Sequence, residues 1–362
     1  MSAAIVGLGA YLPETIRTND HWPSSFRERV FQSEDRTFND IPLPLDAEAA
    51  AIIERDLALE AHDPMLGTRL RRVADDTLTS AQAEAWAAEA ALRDAGINAE
   101  DVDVLLSYAA VPDRIAPATG TRVAQLIGAR KAAVIPVDTA CASALTQLDV
   151  ARAYVESGLA KIVLLTQSHL LLRALPSLHP ATPGLGDAAS AIVVTRGAGL
   201  QIRAGVSISH GDHALSVTWI RGSDDTTDTP WWRAGGDMRL GSRNLEGAKF
   251  LMRETVTFGA RTVQEAALRA GLPVDRIEVL ASVQPRGFIP HAIAERLGLG
   301  RERAVTTYDE LAHVGVCGPV LNLLKARDQG RLRPGALVAL YGQGTGFTRA
   351  ATLLEVSKSA ST

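Results

Sequence analysis

Two side chains in this sequence pair a nucleophile with a base: Cys141 in VDTACASAL and His313 in YDELAHVGVCGP. A thiolate attacks an acyl carbon, and an imidazole that titrates near neutrality moves the accompanying proton. Cys141 falls where a strand gives way to a helix. Unpaired N–H groups and the helix dipole favour an anion there, so the thiol pKa is expected to be lowered. The plain alternative is a buried cysteine used as a small hydrophobe. Ala140, Ala142 and Ser143 leave room around the sulfur and favour the nucleophile. Cys317, four residues after His313, reads as a small buried residue.

The elements that must position Cys141 lie between residues 133 and 167. Ala133, Val134, Ile135 and Val137 form an incoming strand. Leu145, Leu148, Val150, Ala151, Tyr154 and Val155 follow at helical spacing, and Ser157-Gly158 stops the helix. Ile162 to Leu165 is a second buried strand. A related unit recurs later. ALRDAGINAEDVDVLLS resembles ALRAGLPVDRIEVLAS, and the nucleophile unit has a partner running from Ala304 to Tyr341. Cys141 lies 17 residues before Gly158, and His313 lies 17 before Gly330. The repeat therefore predicts that Cys141 and His313 occupy equivalent helix starts. This selects His313 from the eight histidines. Asp309 or Glu310 could orient it, although ordinary turn carboxylates also fit both.

A glycine-rich stretch, YGQGTGFTRAATLL, follows a late strand. Glycines let backbone N–H groups approach a ligand. One reading is an oxyanion hole in which the N–H groups of Cys141 and Thr345 receive a thioester oxygen, with Gly344 and Gly346 in support. A plain tight turn is the alternative. GDAASA, from Gly186, leads into another strand. His210 and His213 read as a loop pair without a third ligand, so no metal site is expected. Trp231-Trp232-Arg233 could face an adenine or pantetheine group, or form a lid or subunit contact. Arg69, Arg71 and Arg72 could attract an acidic carrier or a phosphate, or simply be solvated.

The chain has 362 residues, 46% hydrophobic and 22% charged, enough for a large core and two domains or one large one. Alternating strands and helices indicate an α/β protein. A net charge of −4 gives no footprint for nucleic acid. Two cysteines cannot build a disulfide framework and fit a reducing, cytoplasmic setting. MSAAIVGLGAYLPE reads as a first strand and not as a signal peptide. No apolar run reaches about 18 residues, so no membrane span is expected. Residues 18–70 are polar and irregular, with some helix between Asp46 and Leu57; such a stretch suggests a lid, a binding loop or an insertion.

Taken together, IVGLGAYLPETIRTND, LGTRLRRVA, VDTACASAL, GDAASAIVV, AVTTYDELAHVGVCGPVLNLL and GQGTGFTRAATLL resemble β-ketoacyl-acyl carrier protein synthase III and related thiolase-fold condensing enzymes. The likeness covers nearly the whole chain. It implies two pseudo-symmetric βαβαβαββ halves in a five-layered α-β-α-β-α arrangement, residues 1–200 carrying the nucleophile and 201–362 the histidine. It also implies a homodimer, an acyl thioester on Cys141, and acyl-carrier protein or acyl-CoA as donor, with no other cofactor.

The departures from the family pattern bear on the reaction. The family holds an enolate between a histidine and an asparagine. Here the asparagine position corresponds to His313, and the histidine position falls on Val283 or Gln284. Decarboxylative condensation is thereby put in doubt, while acyl transfer from Cys141 to a small-molecule acceptor, with His313 as base, is not. The expected activity is an acyltransferase of specialised metabolism. One rival is decarboxylative Claisen condensation with Gln284 as a neutral donor. The other is a catalytically weak partner subunit of an active homologue. Ala116 stands where the family often places a phenylalanine that reaches across the dimer, and a smaller residue there would widen the substrate tunnel.

Overall fold

The computed structural model describes residues 2–26, 43–60, 63, 65–179, 181–221, 233, 235, 236 and 238–358. The tryptophan pair at 231 and 232 lies outside them, as does much of the segment between 18 and 70.

The strands in chain order are β1 (Ala3–Tyr11), β2 (Thr15–Thr18), β3 (Leu70–Val73), β4 (Val104–Ala109), β5 (Ala133–Pro136), β6 (Val163–His169) and β7 (Ala188–Arg196). They continue with β8 (Leu200–Ser209), β9 (Thr218–Arg221), β10 (Met238–Gly241), β11 (Ile277–Ser282), β12 (Ala304–Val305), β13 (Leu337–Gly344) and β14 (Thr348–Val356). The helices are α1 (Ala47–Glu60), α2 (Ser80–Ala95), α3 (Thr119–Ile127), α4 (Ser143–Ser157), α5 (Leu245–Ala270), α6 (Ile289–Arg296), α7 (Tyr308–Leu311) and α8 (Gly318–Asp328).

The main sheet runs β12-β11-β13-β14-β8-β1-β7-β6-β4-β5. It is one pattern used twice. In the first half the order from the outer edge is β5-β4-β6-β7-β1, and in the second it is β12-β11-β13-β14-β8. Each half thus places its own strands in the order third, second, fourth, fifth, first. The halves join where β1 meets β8 at Ala4 with Gln201 and Ile5 with Leu200.

Side-chain alternation explains the layers. On β6, Val163 and Leu165 face a central core, while Leu164 faces an outer one. On β13, Val338 and Leu340 face the central core, and Ala339 and Tyr341 the other outer one. The central core holds α4 through Leu145, Leu148, Ala151 and Val155, and α8 through Val320 and Leu323. Residues of α2 and α3 cover the first half and those of α5 and α6 the second. The result is the expected α-β-α-β-α stack.

Helix α4 ends as its sequence indicates. Gly158 adopts φ +80 and its N–H bonds the Val155 carbonyl, a conformation that a Cβ would oppose. Helix α1 lies within the irregular segment and docks on the second half. Ile52 and Ile53 share a core with Ile289 and Ile293, and Arg55 and Asp46 pair with Glu295 and Arg296. The segment therefore supplies a packed helix, with β2 and β3 paired as a ribbon at its margins.

Candidate functional site

Cys141 is the middle residue of a short turn, Ala140–Ala142, that feeds directly into α4. Ala140 is held at φ +51, a strained value for an alanine, costing about 1–3 kcal/mol. Local bonds keep it there. The Asp138 carboxylate accepts from the Ala140 N–H at 2.9 Å, and Ser143 Oγ accepts from the Thr139 N–H at 2.9 Å. The second half closes the turn. A Cβ on Gly344 would fall 2.1 Å from the Thr139 carbonyl oxygen and 3.1 Å from the Cys141 nitrogen. The glycine of this stretch thus serves a close approach of backbone to the nucleophile turn. Gly346 lies further on, at φ +74, where an added Cβ would lie 3.7 Å from the Ala214 carbonyl oxygen.

His313 follows an alanine that is also strained, Ala312 at φ +58. Its backbone is bound to the first half. The His313 N–H donates to Gly184 O at 2.9 Å, and the Gly186 N–H donates to His313 O at 3.1 Å. A Cβ on Gly186 would lie 2.1 Å from Leu311 O, so this crossing requires glycine. The GDAASA stretch is therefore a strut beneath the histidine.

Cys141, His313 and Thr345 line one cavity of about 230 Å³. Leu171, Leu185, Trp219, Leu240 and Met252 give it an apolar wall, and Tyr108, Arg286 and Tyr308 contribute polar groups. A further imidazole lines it that the sequence reading did not single out: His169, the last residue of β6. Its ring lies 5.7 Å from that of His313, edge to face. The available signal was a histidine after Gln167-Ser168 at the end of an apolar run, since a buried polar group in a strand needs a partner. That partner is the Gly186 carbonyl, 3.0 Å from His169 Nδ1.

The electrostatics correct one expectation. Burial, aided by the nearby Asp138 carboxylate, pushes the Cys141 thiol up to about 12, with its own backbone N–H acting weakly the other way. Desolvation outweighs the helix start, so the resting group is a thiol and loading requires a base. Burial pushes both imidazoles down as well, His313 to about 3, with His169 as a lesser cause, and His169 to about 4. Both are neutral at physiological pH, and a neutral imidazole can take a proton.

Other sequence-level candidates resolve differently. Gln284 is fully buried and does not line the cavity. Its Nε2 donates to Thr307 Oγ1 and Ala312 O, and its Oε1 accepts from Thr306 Oγ1, Thr307 N and Asn322 Nδ2. With every hydrogen-bonding position committed, it holds the loop before His313 and has no donor left for a substrate. Val283 is buried too. Ala116 is exposed and lies outside the lining of this chain's cavity.

Asp309 pairs with Arg69 and Glu310 with Lys325, so neither carboxylate is committed to the histidine. Arg71 is wholly buried, bonded to Pro183 O, Asn19 Oδ1 and Thr68 Oγ1, with its guanidinium 4.5 Å over the Trp22 ring. It cannot attract an external carrier. His210 and His213 pack among Phe250, Phe258 and Phe347. Among the described residues no group of three or more candidate ligands could hold a metal ion. None of the described helices is long and apolar enough to cross a membrane.

The repeat is real, but its residue equivalence depends on the anchor. Counted from the starts of α4 and α8, Cys141 matches Val316, because α4 starts 15 residues before Gly158 and α8 only 12 before Gly330. Counted from the strained alanines, Cys141 matches His313.

Comparison with known proteins agrees with this geometry. Residues 136–211 match the family model "3-Oxoacyl-[acyl-carrier-protein (ACP)] synthase III", and residues 268–356 match its C-terminal counterpart. A β-ketoacyl-[acyl-carrier-protein] synthase III of Rhodospirillum rubrum is 30% identical over 362 residues, covering 98% of this chain and 99% of the relative. The chain belongs to the synthase III family. The fold likeness extends to solved members. The synthase III of Pseudomonas aeruginosa superposes with a TM-score of 0.77 at 25% identity, covering 99% of each chain. A priming β-ketosynthase from the R1128 polyketide biosynthetic pathway superposes with a TM-score of 0.78 at 20% identity, covering 98% of this chain and 96% of the other. Membership of the synthase III family makes the chain a thiolase-fold transferase of the condensing-enzyme class.

Proposed function

We propose that this synthase III homologue is an acyltransferase of specialised metabolism. An acyl group from acyl-carrier protein or acyl-CoA loads onto Cys141 and passes to a small-molecule acceptor, with His313 as base. In the loading step the Cys141 thiol gives its proton to a neutral imidazole. Sulfur attacks the acyl carbon, and the donor thiol leaves with a proton. In the transfer step the acceptor attacks the thioester, His313 takes its proton, and the C–S bond breaks to return the Cys141 thiol. The N–H groups of Cys141 and Thr345 receive the carbonyl oxygen as it gains charge. The protein acts as a cytoplasmic homodimer.

The observation that carries this reading is the composition of the cavity. It holds a thiol and two neutral imidazoles. Among the described residues, no asparagine or glutamine lines it. An enolate needs fixed donors, and Gln284, the candidate that stands at the family's histidine position, is spent on the loop. Decarboxylative condensation remains the second reading because the curated relatives carry the synthase name.

Release of carbon dioxide from malonyl-CoA, measured beside intact-protein mass after incubation with acyl donors, separates them. The acyltransferase reading expects an acylated Cys141 and no release above the Cys141→Ser background. Release at a catalytic rate supports condensation. Failure of every donor to load supports a partner-subunit role.

A further inference from the structure

The two imidazoles of the cavity differ in what fixes them. His169 Nδ1 lies 3.0 Å from the Gly186 carbonyl oxygen. A carbonyl only accepts, so Nδ1 carries the ring proton. The buried ring is neutral, which leaves Nε2 with a lone pair. The ring lines the cavity, and the Gly315 backbone packs closely against that edge of it. A Cβ there would sit 2.6 Å from Nε2 and 2.1 Å from Cδ2. His313 is tethered differently, through an interaction of its ring with the Gln284 backbone. Its Nδ1 is buried without a hydrogen-bond partner, and the carboxylates three and four residues earlier are paired elsewhere. One imidazole is thus a fixed acceptor, while the other can take and return a proton.

We propose that His169 is a catalytic residue that accepts a hydrogen bond from the acceptor through Nε2, and that this selects a neutral primary amine as the acceptor. The inference rests on the acyltransferase reading above. A primary amine has two N–H groups, one for each imidazole. Its nitrogen lone pair attacks the acyl carbon, the C–N bond forms and the C–S bond to Cys141 breaks. His313 takes one proton and returns it to the sulfur. The second N–H stays bonded to His169 and remains on the amide product. An alcohol has a single O–H, so its oxygen lone pairs would face the His169 lone pair. An enolate, with no donor, meets the same repulsion. Leu171, Leu185, Trp219 and Leu240 suit an apolar amine.

The test begins with full-length enzyme loaded from acetyl-, butyryl- or octanoyl-CoA and followed by intact mass. The acyl-enzyme is then offered aniline or benzyl alcohol, and anilide and ester are quantified. His169→Asn keeps a donor for Gly186 O but removes the Nε2 acceptor. The expected result is anilide as the main wild-type product. The variant should still load, but form anilide at least about 100-fold more slowly, so that its anilide-to-ester ratio falls. Anilide formation by the variant within about threefold of wild type overturns the role of His169. A wild type that loads but forms no anilide, or prefers benzyl alcohol, overturns the amine assignment independently of any variant. A wild type that does not load overturns the acylation reading, and this inference with it.

Discussion

The two halves of the molecule present the same strained turn and complete it from opposite sides. In the first half, Ala140 at positive φ delivers Cys141, and Gly344 of the second half presses against that turn. In the second half, Ala312 at positive φ delivers His313, and Gly184 and Gly186 of the first half bind its backbone. The support behind each turn differs. Asp138 and Ser143 hold the nucleophile turn through neighbours in sequence. Gln284, Thr307 and Asn322 hold the histidine loop through a buried network spanning β11, α7 and α8. The nucleophile is therefore placed locally, whereas the base is placed by tertiary packing. The pair exists only when the halves are docked.

The comparison can be broken most severely at the base. His313→Ala should lower acyl transfer by about 10²–10⁴-fold while leaving Cys141 able to hold an acyl group, as read by product formation and by intact mass. Gly186→Ala attacks the crossing between the halves. Its Cβ would enter Leu311 O, so it should cost about 1–3 kcal/mol in denaturant unfolding and slow transfer more than loading. Gln284→Leu removes the buttress without touching the cavity. It leaves the Thr307 N–H and the Asn322 amide short of a partner, at about 1–3 kcal/mol. Its transfer rate should fall less than that of His313→Ala.

Acid sharpens the comparison more gently. Both imidazoles are pushed from the ordinary 6.5 down to about 4 for His169 and about 3 for His313. Between those values and 6.5 the unfolded chain binds protons that the folded chain refuses. These groups therefore make stability fall as pH drops through that window, and their penalty is absent above it. Denaturant unfolding at pH 7 and pH 5 should show the decline, and the double variant His169→Asn, His313→Ala should show less of it. The smallest effect concerns the thiol. Because burial raises Cys141 to about 12, its alkylation by iodoacetamide should keep accelerating from pH 7 to pH 10. A plateau near pH 7 would contradict the buried-thiol description.

Much of this was legible in the sequence, for physical reasons. The apolar runs and their closing glycines report both the strand–helix–strand unit and its repetition, since period and turn chemistry are local. Cys141 and His313 stand beside small residues in those units, so their shared setting was also legible. The rest depends on the partner half. His169 reads as the end of a strand until Gly186 is brought to its Nδ1. The helix start at Cys141 suggests an activated thiol until the desolvation of its half-buried setting and the nearby Asp138 carboxylate are counted. Gln284 resembles a substrate donor until Thr306, Thr307 and Asn322 are seen to consume its amide. Arg71 looks like part of a basic patch until Trp22 and Pro183 enclose it. In each case the sequence shows the group and the fold supplies its partners.

The measurement that bears most directly on the central claim is intact-protein mass after incubation with acyl-CoA and acyl-carrier thioesters. It is made on the wild type, Cys141→Ser and His313→Ala. The account predicts one added acyl mass on the wild type and none on Cys141→Ser. It also predicts that His313→Ala loads more slowly, and that the acyl group it gains persists when an acceptor is supplied. Loading of Cys141→Ser to the wild-type level, or transfer by His313→Ala at the wild-type rate, would contradict it.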